Sequence, residues 1–241
     1  MNFNLVREMM RKDMQEVRKN GYVFYSLLLL PIMLVAISVL DSYEVALSVG
    51  GKSSVLLSTF SSIMVFIPAI VTSLIGSTSV ILEKNNHSLE PLLATPVTDS
   101  ELFAGKALAP LSIGVALSWV AFAAYAVIMD ALTYGRLGYF LFPTELTLVQ
   151  MFFLAPVTGM LGTFLTLLVS SKMKDVRAAQ QVSALVVLPL LLLIFLPIIA
   201  SGADLIINVG AGVGFLVAAI AIFFTSVKAF GRESILISWG K

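Results

Sequence analysis

The sequence predicts an all-α integral membrane protein: six transmembrane helices, N- and C-termini both cytoplasmic, and an amphipathic interfacial helix ahead of the first span. Three observations predict it. First, 59% of the 241 residues are hydrophobic, only 12% are charged, and the mean hydropathy is +0.99. A soluble domain keeps about a quarter of its residues charged, so this chain lacks the polar surface to face water. Second, the charges cut it into uncharged runs at 22–40, 53–82, 107–129, 146–171, 178–203 and 205–227. A bilayer core takes about 20 apolar residues of helix, and stretches such as "ALVVLPLLLLIFLPIIA" lack the alternation of membrane strands. Third, thirteen of the fifteen lysines and arginines fall on one side of a six-span arrangement, and that side is cytoplasmic by the positive-inside rule.

Residues 1–21 hold the interfacial helix. Phe3, Val6, Met10, Met14 and Val17 repeat at helical spacing, while Arg7, Glu8, Arg11, Lys12, Glu16 and Lys19 lie largely off that stripe. Such a helix rests in the headgroup plane, with Arg7, Arg11, Lys12, Arg18 and Lys19 available to anionic lipid. Glu8 and Lys12 are spaced as an i,i+4 pair, and Asn20-Gly21 is a stop signal. The basic stretch is too long for a secretory leader, and no small-residue cleavage site follows the first span.

The transmembrane domain spans 22–230, with helices expected at about 22–40, 56–82, 104–129, 147–171, 178–200 and 205–229 and a cytoplasmic tail at 231–241. Pro31, Pro68, Pro156, Pro189 and Pro197 fall inside spans, where neighbouring helices must satisfy the carbonyls that proline frees. Residues 198–210 suit either a shallow re-entrant dip or a tight turn between longer spans. The outer connections are short.

Several chemistries are excluded. There is no cysteine and one histidine, so thiol, metal and haem sites have no ligand set. No catalytic group and no metal site is expected. "GGKSS" at 50–54 lacks the first glycine of a phosphate-binding loop, since residue 46 is alanine, and it has no strand before it. Nothing suggests a nucleic-acid partner. None of the uncharged runs holds an Asp, Glu, Lys, Arg or His. Charges at mid-membrane cost roughly 2.5–3.5 kcal/mol and persist for function, so the energy for any work should enter from outside the spans.

The connection 83–103, "EKNNHSLEPLLATPVTDSELF", faces the cytoplasm in this arrangement. Ser88 can cap a short helix, with Glu90 in its first turn and Pro91 tolerated there. Leu89, Leu92 and Leu93 form one apolar face, and Thr95-Pro96 stops the helix. Thr98 and Glu101 then make a capping box for the next helix, with Val97 and Leu102 placed as a hydrophobic staple. The three leucines either lie on lipid or fill a groove on a protein.

The same stretch resembles the cytoplasmic loop of permease subunits in the type-2 branch of ATP-binding-cassette (ABC) transporters. Glu83, Leu89, Glu90, Leu92, Leu93, Thr95, Pro96 and Lys106 match the family pattern as they stand. His87 and Ser88 replace its usual Gly-Thr, and Asn85 or Asn86 stands where a second acid is common. The resemblance implies a coupling helix at about 88–95 that docks on a separate ATPase subunit, with Glu83 and His87 at its approach and Leu89, Glu90, Pro91, Leu92, Leu93 and Pro96 in the docking element. It implies a cell-membrane, multi-pass permease working with an ABC ATPase and a second permease copy, in an exporter. ATP and Mg would be held by the partner, with no cofactor in this chain and no enzyme activity of its own. Two other readings are an ATP-independent carrier or channel lined by Thr72, Ser73, Ser77, Thr163 and Thr166, and a membrane assembly subunit.

Overall fold

The computed structural model describes residues 3–48, 61–85, 99–173, 175, 177–185 and 205–229. Every regular element among them is helical. In chain order these are α1 (Phe3–Lys19), α2 (Gly21–Ser48), a 3₁₀ turn (Ile63–Val65), α3 (Phe66–Asn85), α4 (Asp99–Leu137), α5 (Glu145–Val149), a π segment (Gln150–Leu154) and α6 (Ala155–Lys172). After these come α7 (177–185) and α8 (Leu205–Ala229). Among the described residues, four stretches are long and apolar enough to cross a membrane: Val23–Ala46, Ser100–Leu137, Glu145–Lys172 and Leu205–Val227, with a shorter apolar helix at Ile63–Thr78. Residues 186–204, which hold most of the expected fifth span and much of the possible re-entrant dip, lie outside the described residues. Residues 205–210 are the opening turns of α8.

One residue separates α1 from α2. Asn20 N–H donates to the Glu16 carbonyl at 3.0 Å, which closes α1, and the Asn20 carbonyl accepts from Phe24 N–H at 2.9 Å. Its side-chain oxygen accepts from Val23 N–H at 3.5 Å, so the same asparagine also caps α2.

The centre of the bundle is the seam between α3 and α6, with α4 laid across it. Glycines set how close the helices come. A Cβ on Gly162 would sit 2.9 Å from both the Cα and the carbonyl oxygen of Ala69, and one on Gly114 would sit 3.1 Å from the Pro68 carbonyl. Small residues let backbones meet where lipid supplies no hydrophobic drive between helices. In an apolar 18-residue stretch of Glu145–Lys172, 61% of the residues are buried, against 17% in that of Leu205–Val227, so α6 is central and α8 flanks it. Apolar side chains left outside, such as Leu29, Ile32 and Leu40 on α2 and Ile206, Val217 and Phe224 on α8, are exposed in a band suited to lipid.

Two prolines leave carbonyls that neighbouring helices satisfy. Pro68 has no N–H for the Met64 carbonyl four residues back, and Ser118 Oγ donates to it at 3.0 Å. Across the 3₁₀ turn Pro68 is also no donor for Val65, whose carbonyl accepts from Thr158 Oγ1 at 2.9 Å. In the π segment Ala155 N–H reaches back five residues to the Gln150 carbonyl. The next such bond would need an N–H on Pro156, and the indole Nε1 of Trp119 donates to the Met151 carbonyl instead, at 3.0 Å. The irregular turns at Ile63–Val65 and Gln150–Leu154 thus exist because α4 and α6 carry donors opposite them.

At 39 residues α4 is about 58 Å long at 1.5 Å per residue, roughly twice a hydrocarbon core. Its uncharged part is 107–129, so the turn carrying Glu101 and Lys106 and the turns carrying Asp130 and Arg136 project beyond that core. Gly138 ends the helix at φ +75°, with its N–H on the Tyr134 carbonyl at 2.9 Å. The Asp130 carboxylate then accepts from Leu141 N–H at 2.8 Å and Phe142 N–H at 3.2 Å. Thr144 and Thr147 form a capping box that starts α5.

Candidate functional site

The candidate site is the connection between α3 and α4. Glu83 lies in the last turns of α3, and α4 begins at Asp99, directly after the predicted Thr98 cap. His87, Leu89, Glu90, Pro91, Leu92, Leu93 and Pro96 fall outside the described residues, as does Thr98 itself. The structure therefore describes the two abutments of the predicted coupling element.

The helix that leads to the α3 abutment is held by backbone proximity at 68–76. Beyond Gly114 and Gly162, a Cβ on Gly76 would meet Thr166 Cγ2 at 3.2 Å, and one on Gly159 would meet Pro68 Cβ at 3.1 Å. Hydroxyls along this seam bond within their own helices: Thr72 to the Ala69 carbonyl at 3.1 Å, Ser77 to that of Ser73 at 2.8 Å, and Thr163 to that of Gly159 at 2.7 Å. Thr72, Ser73, Ser77, Thr163 and Thr166 are all buried. They lie in the seam between the helices.

The α4 abutment is held by side chains. Phe103 is buried in an aromatic trio with Phe164 of α6 and Phe223 of α8, ring centroids 5.4–5.6 Å apart. Gly105 faces α1, where a Cβ would sit 2.7 Å from Met9 Sδ and 3.3 Å from Met9 Cβ. Next to it Lys106 Nζ donates to Asp13 Oδ1 at 2.8 Å, with the two side chains only 3% and 1% exposed.

This arrangement shows which side of α1 meets the bundle. The apolar repeat of Met10, Met14 and Val17 is the side assigned to the bilayer, and it is the neighbouring side, Met9 and Asp13, that is buried against the protein. Met10 and Val17 are half-buried and Met14 is exposed. The reason lies on α4: Gly105 leaves room for Met9, and Lys106 supplies the counter-charge that makes a buried Asp13 affordable. Arg7, Arg11, Lys12, Arg18 and Lys19 are all exposed, and Lys12 Nζ lies 3.9 Å from Glu16 at i,i+4.

A second polar cluster sits at the opposite end, where the 3₁₀ turn, the π segment and α8 meet. Gln150 Nε2 donates to Ser62 Oγ at 2.7 Å and to Asn208 Oδ1 at 3.5 Å, while its Oε1 accepts from Ser61 at 3.0 Å. All four residues are buried. Sequence reasoning missed both clusters. The signals were an acid one helical turn after Met9, and an amide near the start of each of two apolar spans.

A family model described as ABC-2 family transporter protein matches residues 8–211, a range that takes in most of α1, both abutments and the stretch between them. No curated protein matches the chain.

Proposed function

This chain belongs to the ABC-2 transporter family, and from that premise we propose that it is the permease subunit of an ABC exporter driven by a separate ATPase. That it is a multi-pass membrane component of an ABC transporter follows from the family match and the apolar helices. The finer reading is six spans with both termini in the cytoplasm, in the cell membrane. The distribution of lysine and arginine supports it, as does helical structure at 61–85 and 177–185 beside the four long spans.

The observation that carries the coupling role is the packing of the two helices that flank the sequence stretch 86–98. The leucine-faced stretch lies between one helix locked at its backbone by glycines and another clamped by an aromatic trio and a buried ion pair. A force applied there reaches two packed helices at once. In this reading Leu89, Leu92 and Leu93 fill a groove on the ATPase, Glu90 caps the short helix or contacts the partner, and Pro91 and Pro96 fix its ends. Glu83 and His87 stand at the approach. ATP and Mg²⁺ are bound by the partner, and a second permease copy completes the transporter. Export suits a chain whose described outer connection, 138–144, is short and holds no receptor domain. Arg7, Arg11, Lys12, Arg18 and Lys19 meet anionic headgroups from the exposed side of α1.

The test is Leu92→Asp combined with Leu93→Asp. The protein should remain in the membrane, and stimulation of the ATPase by the permease should be lost. Unchanged stimulation would refute the coupling role.

A further inference from the structure

Lys106 belongs to the pattern shared with the family loop, yet the coupling role leaves it without a task. It stands where the uncharged part of α4 begins, and its partner lies on a helix that precedes the whole bundle. Holding two helices together does not require charges, because apolar side chains of similar size do so as well or better. What a buried charge pair adds is a single allowed geometry. That geometry is reinforced one residue away, where Met9 lies directly on the backbone at Gly105.

We infer that Asp13 and Lys106 are positioning residues that make α1 and the opening turns of α4 one rigid body, so that α1 acts as a second lever of the coupling loop. The path is continuous. The loop ends at α4. The ion pair and the Met9–Gly105 contact tie those turns to α1, and α1 passes through the single non-helical residue Asn20 into α2. A push on 88–95 is thus delivered to the first span as well as to those joined by the loop. The driver of this motion rests on the coupling reading above; the latch itself does not.

The chain has no cysteine, so Met9→Cys with Gly105→Cys gives one engineered disulfide. The Cβ positions are 3.3 Å apart, slightly inside the usual disulfide spacing of about 3.8 Å. In the first arm, N-terminally tagged permease in lipid nanodiscs is treated with trypsin, which has exposed sites at Arg7, Arg11 and Lys12. Lys106→Met should release the tag roughly tenfold faster or more, as undocking exposes α1 to cleavage, and the oxidised disulfide added to Lys106→Met should restore protection. Wild-type cleavage of Lys106→Met would overturn the latch.

In the second arm, Lys106→Met should still co-purify with the ATPase but lose permease-stimulated hydrolysis, and oxidation of the cysteine pair should recover it. Loss of co-purification would reduce the pair to shaping the docking site and overturn the lever. The cysteine pair in an otherwise wild-type chain covers the case in which Lys106→Met does not fold. Oxidation should leave stimulation intact, whereas inhibition reversed by reductant would show that α1 and α4 must part, which contradicts a rigid body. A wild-type permease that binds no ATPase defeats the coupling reading and the lever with it, and the trypsin arm still decides whether the latch exists.

Discussion

At the α1 end of the bundle, two opposite charges meet at 2.8 Å with almost no exposure. At the other end, Gln150 gathers Ser61, Ser62 and Asn208 through neutral hydrogen bonds of 2.7–3.5 Å. Both clusters join three or more elements, counting the aromatic trio next to Lys106. The difference lies in how each would fail. A buried ion pair concentrates its worth in two atoms, and removing either partner strands a charge. A neutral network is spread over several bonds, each of modest value between membrane helices. The charged end therefore behaves as a single latch and the neutral end as a distributed joint, and the latch lies on the side where the proposed drive enters.

The largest expected effect breaks the charged end. Lys106→Met should destabilise α1 docking by about 3–5 kcal/mol, while Asp13→Leu with Lys106→Met should come close to wild type, because the penalty is an uncompensated charge rather than a lost contact. Thermal unfolding in nanodiscs checks both, and equal losses for the single and double variants would remove the distinction between the ends.

Next is the seam both ends share. Gly162→Ala places a methyl 2.9 Å from the Ala69 backbone and should cost about 1–3 kcal/mol by overpacking. The same unfolding assay should show its midpoint below that of wild type.

Breaking the neutral end should cost less. Gln150→Leu removes the hub of the network at about 0.6–1.7 kcal/mol, the range found for hydrogen bonds between membrane helices. A loss as large as that of Lys106→Met would show that this end is no looser than the other.

The smallest effect calibrates the series. Gly214→Ala on α8 meets nothing within 4 Å, and its midpoint should match wild type.

The helical class, the placement of α1 ahead of the spans and the start of α4 at Asp99 were legible because each rests on local signals: hydropathy, a 3.6-residue repeat and a capping pattern. The side of α1 that meets the protein was not, since it depends on Gly105 and Lys106, more than ninety residues away. Likewise Pro68 and Pro156 announced that carbonyls would need donors, but only the packed bundle shows that Ser118, Thr158 and Trp119 provide them. The length of α4 was also hidden, because Asp130 and Arg136 look like the end of a span when they lie on further turns of the same helix. For the coupling stretch, the pattern "SLEPLLATP" carries the reading, and the structure adds the packing of the two flanking helices.

The most direct measurement exploits the absence of cysteine. A single Leu92→Cys, treated with a thiol crosslinker on inside-out vesicles containing the ATPase, should yield a permease–ATPase adduct that disappears with Leu89→Asp. Labelling of that thiol only from the outer face, or capture of lipid with no ATPase, would contradict the account.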